Sequence, residues 1–162
     1  MTITAPYSEL KAHLDATAQA SNAFTPLLRD EFHCLSSAES THLIEITQSK
    51  QEATERLLSA STALLNCLEA LSLEPDTDSI TQWASQWPSA DAQSLLTVWH
   101  RLRESLDEND RLHQTNRQLL ADLSHRNALQ LNLLKNLMGN TDTYSAEGQY
   151  RSQSPSGWVD QV

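Results

Sequence analysis

From Ser89 to Met138 the chain runs for close to 50 residues without a proline or a glycine. Apolar residues recur along it at helical spacing: Leu95, Trp99, Leu102, Leu106, Leu112, Leu119, Leu123, Leu134 and Leu137. Gly139 then stands where a helix C-terminal glycine belongs. An unbroken helix of that length is about 73 Å long. This one stretch dictates an all-helical fold and sets a length that the rest of the chain must match.

The preceding segments are shorter. Leu10, Leu14, Phe24, Leu28 and Leu35 mark a first helix over about residues 7–36, with Thr17, Ser21 and Glu31 at the intervening seam positions. Pro26 lies inside it and either kinks or breaks it. After a polar gap at Ser36–Ser40, a heptad-like seam follows over about 39–72: Leu43, Ile46, Lys50, Ala53, Leu57, Ala60, Leu64, Cys67 and Leu71. The short gap folds these two helices into an antiparallel hairpin of about 45 Å. Pro75 ends the second helix, and Asp76–Asp78 offer capping oxygens to a short helix over about 79–87 with Ile80, Trp83 and Trp87. Pro88 closes it, and the long helix spans about 90–138.

The lengths do not balance. The long helix exceeds the hairpin by about 25 Å, so its distal leucines need a partner, a bend or a second copy. The expected architecture is an elongated antiparallel bundle over 1–139: a long hairpin, a short connecting helix and a longer C-terminal helix. Residues 140–162 are polar, lack any period and read as a disordered tail. The tail still keeps Tyr144, Tyr150, Trp158 and Val159, which suit a short recognition peptide.

Composition narrows the function. Three glycines in 162 residues leave no phosphate-cradling loop and no nucleophile elbow. With 21 acidic against 11 basic side chains the net charge is −10, which phosphates of nucleic acid and an anionic membrane surface would repel. No apolar run approaches the roughly 18 residues of a membrane span, and the N-terminus lacks the pattern of a signal peptide, so the expected setting is soluble and cytoplasmic. No two of His13, His33, His42, His100, His113 and His125 share a helix face at three or four residues' spacing, so no metal site and no cofactor is expected. Cys34 near the hairpin turn and Cys67 some 45 Å along the second helix are too far apart for a bridge. These exclusions favour a non-enzymatic protein that binds other proteins.

On the long helix, Asn109, His113 and Asn116 fall in phase with Leu102 and Leu106. Asparagine in a seam fixes register or oligomeric state; the other reading is a thinning core. A histidine on a helix face also admits phosphotransfer at His113, but Gln114, Thr115 and Asn116 are not the neighbours such a site usually has.

Three strings resemble the FlgN family of flagellar export chaperones. Residues 27–52, with Leu27, Leu28, Glu31, Leu43 and Lys50, look like its leucine–acidic stretch, polar step and leucine-rich run. LHQTNRQLL at 112–120 is similar to its asparagine-rich stretch, with Arg117 and His113 as departures. Leu-Met-Gly at 137–139 and then TYSAEGQY resemble its close, through Thr143, Tyr144 and Gly148. The resemblance implies a cytosolic chaperone of type III export. It would hold hook-associated (hook–filament junction) proteins by their apolar helical termini and deliver them to the export gate. Leu131, Leu134, Leu137 and Met138 are then the expected client contacts, with Tyr144, Gly148 and Trp158 in the binding tail and Tyr144 meeting the gate's cytoplasmic domain. A coiled-coil scaffold that homo-oligomerises through the long-helix seam is the rival reading.

Overall fold

A computed structural model of the chain describes residues 5–37 and 42–139. It holds four helices and, among the described residues, no strand: α1 (Ala5–Ser37), α2 (Leu43–Ala70), α3 (Thr77–Ala84) and α4 (Ser89–Gly139). The chain divides into two compact units, residues 1–120 and 121–162. The expected tail over 140–162 lies outside the described residues.

In the first unit, three long helical segments pack side by side and α3 closes one end. Side-chain pairs give their directions. Thr17 donates to the Ala60 carbonyl at 3.2 Å and Lys50 to Glu31 at 2.6 Å, so α2 descends as α1 climbs. Tyr7 donates to the Asp91 carbonyl, Ser21 shares a hydroxyl bond with Ser105, and Thr25 donates to Asn109, each pair 84 residues apart. A constant offset over three such pairs means that α1 and α4 run parallel and in register.

The core follows from the apolar seam. Leu10, Leu14, Leu64, Cys67, Leu68, Ile80, Ala84, Leu95, Trp99 and Leu102 form one buried cluster near α3. Trp99 donates its indole N–H to Thr77 Oγ1, while Tyr7, Trp83 and Trp87 pack with ring centroids 5.2–5.4 Å apart. Each fully buried leucine contributes about 1.5–3 kcal/mol of hydrophobic stabilisation.

Helix ends follow local chemistry. Asp76 Oδ1 accepts from the Ser79 N–H at 2.8 Å, so α3 starts at Thr77 rather than near 79. At the end of α2, the Leu73 N–H reaches the Leu68 carbonyl and the Ser72 N–H reaches Glu69, a Schellman closure. Ser72 holds φ +55° there, a conformation that glycine takes without a Cβ penalty.

α1 passes through Pro26 unbroken. Proline removes one N–H and leaves the Asn22 carbonyl without its helical donor. Asn22 is exposed, so water can take that place. Thr25 is fixed instead by its own bonds, to the Ser21 carbonyl and to Asn109 across the bundle.

Candidate functional site: the distal part of the long helix

Within the first unit, α4 is held to α1 by polar groups as much as by leucines. Asn109 and Asn116 are almost fully buried. Asn109 donates to the Ser21 carbonyl at 2.9 Å and to its hydroxyl at 3.0 Å, and accepts from Thr25 at 2.8 Å. Asn116 donates to the Leu28 carbonyl at 2.8 Å and to Glu31 Oε2 at 2.7 Å. The same Glu31 oxygen accepts from Lys50, so one carboxylate ties α1, α2 and α4 together. Arg29 and Glu108 add an exposed ion pair. The seam asparagines therefore set the register of two helices of one chain. His113, between them in sequence, faces solvent.

Past Leu120 the helix changes character. Among the described residues of the second unit, 121–138, none is buried; Leu123 is half-buried and the others are exposed. Leu129, Leu131, Leu133, Leu134, Leu137 and Met138 are 50–71% exposed. Six leucines and a methionine in 19 residues make this the most leucine-rich part of α4. Scattered exposed leucines are ordinary on protein surfaces, but a contiguous set marks an interaction surface. Lys135, Asn132, Asn136 and His125 occupy the remaining side and keep it wettable.

The structure thus places Leu131, Leu134, Leu137 and Met138 on one exposed segment. Tyr144, Gly148 and Trp158 lie outside the described residues. Leu129 and Leu133 belong to the same surface but are off the single stripe that a three-and-four count follows. The signal for Leu133 was the doubled leucine at 133–134, which puts leucine on two faces at once, and Leu129 lies four residues before it on the same face.

A second apolar feature lies in the first unit. A groove of about 340 Å³ runs between α2 and α4, walled by Leu64, Leu65, Leu68, Trp99, Leu102 and Leu106, with Thr17 at its base and Arg103 and Asp107 on its rim. Arg103 stacks over the Trp99 ring at 5.9 Å. Ile44, Leu58 and Leu65 are exposed on α2 at spacings of 14 and 7 residues. Each is the second member of an adjacent pair whose first member faces the core side: Leu43–Ile44, Leu57–Leu58 and Leu64–Leu65.

Among the described residues no group of three His, Cys, Asp or Glu is placed to hold a metal. Cys34 and Cys67 are free thiols. Burial, with Glu9 nearby, pushes the Cys67 thiol up, which keeps it protonated and unreactive at neutral pH. No described helix is long and apolar enough to cross a membrane.

No curated protein and no solved structure matches the chain. A family model, described as FlgN protein, matches residues 1–152. That span takes in the asparagine-locked bundle and the exposed leucine segment, and it covers nearly all of the sequence. The chain belongs to the FlgN family, a family of flagellar export chaperones.

Proposed function

We propose that this protein is a cytoplasmic export chaperone that binds hook-associated proteins through the distal part of α4 and hands them to the type III export gate. One observation carries the reading: six large apolar side chains from Leu129 to Met138 stand at least half exposed on a helix that earlier buries Leu95, Trp99, Leu102, Ser105, Asn109 and Asn116 within the chain. A client with apolar helical termini would cover this surface by laying a helix against it, and both partners would be kept from premature association. Tyr144, by resemblance, would meet the cytoplasmic domain of the export gate, with Gly148 and Trp158 in the same tail. The net charge of −10 suits a client or gate surface that is basic or apolar.

The buried asparagines speak against the scaffold alternative. Asn109 and Asn116 bond to α1 of the same chain, so the part of the long-helix seam that runs through them is already occupied. Phosphotransfer has nothing beyond an exposed His113 in its favour, and His113→Gln should leave client binding unchanged.

Size-exclusion chromatography with light scattering, run with a purified hook-associated protein, tests the reading. A one-to-one complex is expected. A stable homo-oligomer that ignores the client would favour the scaffold. Tyr144→Ala should keep the client complex and lose binding to the gate domain.

A further inference from the structure

The exposed segment of α4 carries two apolar faces rather than one. At about 100° per residue, Leu123, Leu131, Leu134 and Met138 fall within about 80° of one another. They are in phase with Leu95, Leu102, Asn109 and Asn116, which are buried in the first unit. This face continues the helix's own core seam. Leu129, Leu133 and Leu137 step by four and form a second face, centred about 120° from the first. Upstream, the second face has one apolar member, the half-buried Leu119, which lies five turns before Leu137 and in phase with it. Glu104, Glu108, Arg111, Asp122 and Arg126 occupy the same side of the helix, and all are exposed. From residue 129 onward, a side that upstream is mostly charged and solvated becomes leucine.

Together the two faces span about 200° of the helix circumference, against the roughly 100° that a helix buries when packed on one side. We propose that the client covers this segment from two sides with two apolar helices, so that α4 becomes one member of a three-helix arrangement. The inference rests on the client reading above and adds the form of the partner: a paired-helix terminus rather than a single helical peptide.

Adjacent positions separate the two faces, because residues 133 and 134 point about 100° apart. A photo-crosslinking amino acid placed at 133 or at 134 is irradiated in the complex with a purified hook-associated protein. The two positions should label two different client helices within a one-to-one complex. Leu133→Asp and Leu134→Asp should each weaken binding at least tenfold, and Asn132→Asp, on the polar side, less than twofold. All three positions are exposed, so thermal melts should coincide and exclude a folding defect. Labelling of one client helix from both positions, labelling of a second copy of this chain from 133, or wild-type affinity in Leu133→Asp would overturn the two-sided form and leave the chaperone reading standing. No complex with the wild-type chain would overturn both.

Discussion

Residues 89–120 and 121–139 of α4 belong to one helix and use leucine in opposite ways. The first stretch holds seven leucines in 32 residues and buries its seam with the help of Ser105, Asn109 and Asn116. The second holds six leucines and a methionine in 19 residues and buries none of them. Hydrophobicity is therefore poorest where the helix folds against its own chain and richest where it does not. A monomer selected only for stability would do the reverse, because exposed leucines contribute nothing to folding and invite association. The polar seam gives the complementary lesson. Asparagine and serine between parallel helices bury less apolar surface than leucine would, but they permit one register and disfavour others.

The largest expected effect tests that contrast directly. Leu102→Ala, at a fully buried site, should cost about 2–5 kcal/mol, whereas Leu133→Ala should stay within about 0.5 kcal/mol. Urea titrations of both variants by circular dichroism measure the difference, and equal losses would erase the distinction between the two stretches. Asn109→Leu comes next. It strips Ser21 and Thr25 of a buried partner and should destabilise by about 1–3 kcal/mol despite the gain in hydrophobicity. A stabilised variant would show that the seam asparagine is replaceable and that register is set elsewhere. Asp76→Ala removes the cap of α3 and should cost about 1 kcal/mol, lowering the melting temperature by a few degrees. The smallest change runs the other way. Ser72→Gly relieves a positive φ at the end of α2 and should stabilise by about 0.5–1 kcal/mol.

Much of the fold was legible because its signals are local and periodic. The leucine spacing, Pro75, Pro88 and Gly139 delimit helices with little help from tertiary contacts. Pro26 was not decidable from sequence: whether a helix survives an internal proline depends on what holds the flanking turns, and here Thr25 is anchored by Asn109, 84 residues away. The role of Asn109 and Asn116 was likewise open, since a seam asparagine looks the same whether its partner lies in the same chain or another. Leu131, Leu134, Leu137 and Met138 could be picked out as a stripe. Leu129 and Leu133 were missed because a one-face count discards leucines off its stripe: Leu133 as one member of the pair 133–134, and Leu129 as an isolated leucine. The same habit hid Ile44, Leu58 and Leu65 on α2.

Hydrogen–deuterium exchange of the full chain, alone and saturated with a hook-associated protein, tests the central claim most directly. Peptides covering 121–139 should exchange quickly in the free protein and become strongly protected in the complex, while those covering 89–120 should be slow in both. Protection that left 121–139 unchanged and appeared instead along the α2–α4 groove would contradict the account.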